Sequence, residues 1–151
     1  HSPEELPPAM VAAFAYWDSA MLEEYVTGIE VAVSVVDLGD GPQAWPAVEI
    51  QPRSGIYDYA ARYTAGETEF YVPARITEQQ AAQCAEAALL AHEVLGLRDW
   101  SRIDFIIDDA GLQFLEANVA PGMTETSLFP QAAAAAGLTL GAVATAFIAR
   151  H

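Results

Sequence analysis

Residues 102 to 118 read Arg102-Ile103-Asp104-Phe105-Ile106-Ile107-Asp108-Asp109-Ala110-Gly111-Leu112-Gln113-Phe114-Leu115-Glu116-Ala117-Asn118, and this stretch decides the fold class. Arg102 to Ile107 is rich in β-branched and aromatic residues and predicts a strand. Asp108-Asp109-Ala110-Gly111 predicts a turn, and Leu112 to Glu116 the returning strand. A second unit of this kind lies upstream, where Ile29 to Val36 predicts a strand, Asp40-Gly41-Pro42 a turn, and Trp45 to Ile50 the antiparallel partner. Hairpins interleaved with helical segments predict an α+β fold with a mostly antiparallel sheet and helices packed on one face.

The helical segments follow from caps and spacing. Ser2-Pro3-Glu4-Glu5 supplies an N-cap and an acidic first turn, and Met10, Val11, Phe14 and Trp17 continue at helical spacing to an end near Asp18. Thr77-Glu78 caps a long helix through Leu95, with Gly96 as its stop. Pro130 to Ala136 and Thr139 to Ala149 predict two closing helices around Gly137. The short apolar run Met21 to Val26 predicts a strand ended by Thr27-Gly28, and Val72-Pro73-Ala74 an edge strand, where proline is tolerated. Periodicity vanishes from Gln51 to Phe70, where Tyr57, Tyr59 and Tyr63 cluster; a loop of this length is a candidate active-site lid.

The chain has 151 residues, 53% of them hydrophobic and 18% charged, enough apolar content for the core of one domain. Six basic against 21 acidic residues leave a net charge of −15, and all six cations are arginines. That balance lacks the cationic footprint of a nucleic-acid binder or of a protein held on an anionic membrane. No apolar run is long enough to span a bilayer, and no secretory signal is evident. Cys84, the lone cysteine, reads as a small buried residue in a reducing cytoplasm. The chain opens on His1, which reads as a segment of something longer.

If the hairpin pairs as predicted, Asp104 and Glu116 come from neighbouring strands, and Asn118 continues their line, since residues two apart point the same way. Two carboxylates and an amide oxygen suit hard Mg²⁺, which keeps positions open for water and phosphate. The same residues also fit a solvated sheet face. Arg102 shares the face of Asp104, and Gly122 follows the Pro121 turn with an accessible N–H. A cation and an N–H donor beside a metal are the parts that stabilise a developing oxyanion.

Five strings in this order resemble the C-terminal half of D-alanine:D-alanine ligase, an ATP-grasp family. They are Glu23-Glu24-Tyr25-Val26-Thr27-Gly28-Ile29-Glu30, Tyr57-Asp58-Tyr59-Ala60-Ala61-Arg62-Tyr63, Arg102-Ile103-Asp104-Phe105, Leu115-Glu116-Ala117-Asn118, and Pro121-Gly122-Met123-Thr124 with Ser127-Leu128. The resemblance implies that residues 1–151 form one C-terminal ATP-grasp lobe of a longer ligase, whose N-terminal domain and first ATP-grasp lobe lie outside this chain. It implies ATP and two Mg²⁺ ions, with Mn²⁺ as a substitute, held by Asp104, Glu116 and Asn118. Arg102 and the Gly122 N–H would form the oxyanion site. Glu23, Glu24, Tyr25 and Val26 would hold adenine through backbone groups, Glu30 the ribose hydroxyls, and Arg62 a phosphate, while Ile106 and Leu115 would sandwich the purine. Tyr63, Ser127 and Leu128 would contact the second D-alanine or close over it.

The implied reaction joins two D-alanines for peptidoglycan synthesis in the cytoplasm, by a whole enzyme that is a homodimer. One carboxylate attacks the γ-phosphate of ATP to give an acylphosphate, and the second amine then attacks that acylphosphate. Arg62 stands where the family has a lysine, Ile56 where it has an aromatic residue, and Val119-Ala120 where a small polar pair is usual. Two other functions compete: an ATP-grasp ligase with a different acceptor, and a noncatalytic nucleotide-binding module. His92 reads as a partly exposed or capping helix residue, and Trp17, Trp45 and Trp100 as packing residues.

Overall fold

Strand β1 (Ile29–Asp37) buries six consecutive residues, Val31 to Val36, and a strand buried along its length needs cover on both faces. The computed structural model describes residues 2–53, 55, 66–124 and 126–150. The other strands are β2 (Pro42–Ala44), β3 (Val48–Pro52), β4 (Thr68–Tyr71), β5 (Trp100–Asp108) and β6 (Gly111–Asn118). They form one antiparallel sheet in the order β4-β3-β1-β5-β6, with β2 paired to β1 beyond the end of β3.

Side chains alternate along β1, and so do its partners. Val31, Val33 and Val35 join Ile103, Phe105 and Ile107 against helix α2 (Glu78–Val94), which contributes Cys84 and Ala88. Ala32 and Val36 join Trp45, Val48 and Ile50 against helices α3 (Leu128–Ala135) and α4 (Leu140–Arg150) through Phe129, Ala132, Ala133 and Val143. The α+β class and the antiparallel sheet stand as expected. The helices, however, cover both faces, because β1 is apolar on both. Trp45 and Trp100 pack on Phe129, with ring centroids 5.3 and 5.6 Å away.

Helix α2 begins where its cap predicts: the Thr77 hydroxyl accepts from the Gln80 N–H, and the Gln80 side chain accepts from the Thr77 N–H. Gly96 follows it at φ +62, a conformation open to glycine. β5 begins at Trp100, two residues before the predicted start, and this places Ser101 beneath α2. His92 is therefore buried, not partly exposed, with Nδ1 2.8 Å from Ser101 Oγ.

Burial lowers the His92 pKa from its ordinary value, against a smaller opposing pull from Asp37. The unfolded chain then takes up this proton more readily than the folded one. Its contribution is complete above about pH 6.5 and is lost on acidification. The urea midpoint is expected to fall between about pH 7.5 and 5.5, and less steeply in His92→Gln; equal slopes would contradict this.

Two predicted strands shift. Met21 to Val26 lies outside any helix or strand, and among the described residues no strand is in register with it. The edge strand is Thr68–Tyr71, in register with Glu49 to Pro52, and it stops short of Pro73, which has no N–H to continue a ladder. The first helix is a 3₁₀ turn, Pro3–Glu5, followed by α1 (Leu6–Phe14). Trp17 beyond it is exposed rather than packed. Among the described residues no single helix is long and apolar enough to cross a membrane; α3 and α4 together are bent by 94°.

Candidate active site on the β5–β6 hairpin

From the turn outward, the hairpin aligns Asp108 with Gly111, Ile107 with Leu112, Ile106 with Gln113 and Phe105 with Phe114. Continued without interruption, this register would set Asp104 opposite Leu115 and turn Glu116 toward α2. A bulge intervenes. Asp104 opposes Glu116, Ile103 opposes Ala117, and Arg102 opposes Asn118. One additional residue, Leu115, thus delivers Glu116 and Asn118 to the face of Arg102 and Asp104. Deleting Leu115 would leave every one of these alignments intact. The deletion is expected to fold with a loss within about 1 kcal/mol and to keep the acidic cluster, read by thermal melting and NMR; failure to fold would contradict this register.

The four side chains meet. Arg102 Nε and Nη2 donate to the two Asp104 carboxylate oxygens at 2.8 and 2.7 Å. Asn118 Nδ2 lies 2.8 Å from Glu116 Oε1 and 3.4 Å from Asp104 Oδ2. Glu116 Oε1 is 3.8 Å from Arg102 Nη2. Asp104 is 3% exposed, whereas half of the Glu116 side chain is open. Burial raises the Asp104 pKa, opposed by the Arg102 hydrogen bonds and charge and reinforced by Glu116.

The donor set fits a hard divalent cation. Asp104 Oδ2 and Glu116 Oε1 both converge on the Asn118 amide, and a rotated amide presents its oxygen to the same place. Among the described residues no three of His, Cys, Asp or Glu gather to hold a metal, so a cation here would lean on Asn118 and on ligands from its substrate.

Other predicted residues fall nearby or elsewhere. Glu30 opposes Ile106, one step along the same face, and Leu115 is the residue that the bulge leaves without a register partner on β5. Glu24, Tyr25 and Val26 line a cavity of about 610 Å³, but its other walls are Gln80, Ile107 and the β5–β6 turn rather than Ile106 or Leu115. Glu23 is exposed outside it. Gly28 lets this segment cross β5: a Cβ there would stand 2.2 Å from the Ile107 carbonyl oxygen. Gly122 lies against Ser127, while the Leu128 side chain is committed to the core at 4% exposure, leaving only its backbone for a ligand. Arg62 and Tyr63, with Ile56, Tyr57 and Tyr59, lie outside the described residues. Sequence reasoning missed the bulge, the close crossing at Gly28 and the contact between Thr124 and Ser127; a Thr-x-x-Ser spacing before an apolar helix start was the available signal for the last.

The family model for the D-ala D-ala ligase C-terminus matches residues 1–149. The chain belongs to this family. Curated relatives named D-alanine–D-alanine ligase include that of Halalkalibacterium halodurans, 39% identical over 96% of this chain and 48% of the relative. That of Anaeromyxobacter dehalogenans is 44% identical over 89% and 43%. The D-alanine–D-alanine ligase of Bacillus anthracis complexed with ATP superposes with a TM-score of 0.80 at 25% identity, over 98% of this chain and 47% of that one. The VanG D-Ala:D-Ser ligase of Enterococcus faecalis gives 0.83 at 30%, over 98% and 43%. The chain thus spans about half the length of the relatives it matches.

Proposed function

We propose that the chain is the C-terminal ATP-grasp lobe of an ATP-dependent ligase that joins two D-alanines for peptidoglycan synthesis. The observation that carries the reading is the meeting of Arg102, Asp104, Glu116 and Asn118 on one sheet face, in a chain whose family is that of the ligase C-terminus. Asp104, Glu116 and Asn118 would hold Mg²⁺, or Mn²⁺ in its place, two ions by family resemblance. When bound, the cation supplies charge neutralisation for ATP phosphates. Arg102, fixed by two bonds to Asp104, keeps a positive charge beside the place where negative charge develops, and the Gly122 N–H completes the oxyanion site. Adenine would rest on Glu23 to Val26 and between Ile106 and Leu115, ribose on Glu30, and a phosphate on Arg62.

Chemistry of this kind is mostly positioning and charge neutralisation: carboxylate attack on the γ-phosphate forms an acylphosphate, and the second amine displaces phosphate from it. Tyr63, Ser127 and the Leu128 backbone would face that second amino acid. The remainder of the polypeptide supplies the opposing lobe. Support comes from the relatives' doubled length and from Val11, Trp17, Met21 and Leu22, each at least 72% exposed along the N-terminal arm. A homodimeric, cytoplasmic enzyme belongs to the same reading.

Residues 1–151 alone, given ATP, Mg²⁺ and D-alanine, are expected to release no phosphate. The full-length polypeptide carrying them is expected to form ADP, phosphate and D-alanyl-D-alanine, identified by mass spectrometry. Robust turnover by the isolated chain, or an acceptor other than D-alanine, would contradict the reading. The VanG likeness makes D-serine the first competitor to include, with D-lactate beside it.

A further inference from the structure

Ser127 stands immediately before α3 with extended backbone, at φ −77 and ψ 153, where a serine ordinarily accepts from the first helical N–H groups. It makes no such bond. Its hydroxyl turns back instead to Thr124, whose Oγ1 lies 2.7 Å away and whose backbone N–H donates to Ser127 Oγ at 3.2 Å. The Ser127 N–H returns a bond to the Thr124 carbonyl at 2.9 Å. Behind the hydroxyl sits Gly122, where a Cβ would stand 2.7 Å from Ser127 Oγ. The next residues, Leu128 and Phe129, are buried in the core, so the start of α3 is anchored.

A hydroxyl oxygen accepts twice and donates once. The Thr124 N–H can only donate, and it fills one acceptor position of Ser127. We propose that Thr124 is a positioning residue: its hydroxyl fills the second acceptor position, which leaves the Ser127 proton directed outward as a donor to the carboxylate of the acceptor amino acid. Thr124 itself touches no substrate. This inference rests on the placement of Ser127 at the acceptor given under the proposed function, and it adds the group that sets the direction of the Ser127 hydrogen bond.

The test uses the full-length ligase carrying this chain. Thr124→Val keeps the backbone N–H and the side-chain shape but removes the hydroxyl; Thr124→Ser restores it. In Thr124→Val, KM for the acceptor D-alanine is expected to rise about tenfold, the worth of one oriented hydrogen bond, while KM for ATP and the melting temperature stay unchanged. Thr124→Ser is expected to recover most of that loss. An unchanged acceptor KM in Thr124→Val overturns the inference. So does a rise shared equally by the KM for ATP with a lowered melting temperature, which marks a structural role only. Absence of D-alanine-dependent ADP formation in the unsubstituted enzyme overturns the functional reading and this inference with it, and that control separates the two failures.

Discussion

Arg102→Ala is expected to destabilise the fold by about 3–5 kcal/mol, the loss that follows when one partner of a buried ion pair is removed. Asp104 is almost fully buried in the sheet face, and both its oxygens are satisfied by the Arg102 fork. Without the guanidinium, the carboxylate either stays charged and poorly solvated or takes up a proton. Its pKa is already raised by burial, and loss of the opposing Arg102 contribution raises it further. The folded variant therefore binds this proton more readily than its unfolded chain, and its stability falls as pH rises from the unfolded value through the folded one. Urea midpoints are expected to show the deficit shrinking on acidification toward about pH 5, apart from the separate loss at His92. Arg102→Lys keeps the charge but loses the fork, and is expected to fall between the two. A deficit independent of pH would contradict the pairing.

Glu116→Gln is expected to separate chemistry from folding. Half of this side chain is open, and the Asn118 amide that donates to it can equally donate to an amide oxygen, so stability is expected to change by no more than about 0.5 kcal/mol. In the full-length ligase, kcat is expected to fall by about 100- to 1000-fold, the loss typical of one group that neutralises developing charge. The Mg²⁺ concentration at half-maximal rate is expected to rise as well, because an amide is a weaker ligand than a carboxylate. Retained kcat with an unchanged Mg²⁺ requirement would remove Glu116 from the site. The corresponding change at Asp104 is less clean, since it also disturbs the two hydrogen bonds that Arg102 donates to that carboxylate.

Much of this was legible in the residues themselves. Thr77 and Gln80 cap α2 and Gly96 ends it, and the turn at Asp108 to Gly111 sets the hairpin. Asp104 and Glu116 face each other as the hairpin predicts, but by a route that spacing alone does not contain. Counting from the turn turns Glu116 toward α2, and only the bulge at Leu115 reverses it; a one-residue slip exchanges the faces of a strand. The unbroken apolar run Val31 to Val36 held a signal for helices on both faces, since a strand covered on one side alternates with polar residues. Met21 to Val26 is apolar enough for a strand, yet a strand exists only with a partner, and a single chain segment does not announce one. Burial of His92 depended on where β5 begins, and strand ends are set by pairing with β1 more than by composition.

The most direct test of the account is a crystal structure of the full-length ligase with ADP and Mn²⁺, with an anomalous difference map at the manganese edge. The account predicts manganese peaks bounded by Asp104, Glu116 and Asn118, with nucleotide phosphate oxygens as the remaining ligands. Nucleotide bound with its metal away from these three residues, or an Arg102–Asp104–Glu116–Asn118 cluster with neither metal nor phosphate beside it, would contradict it.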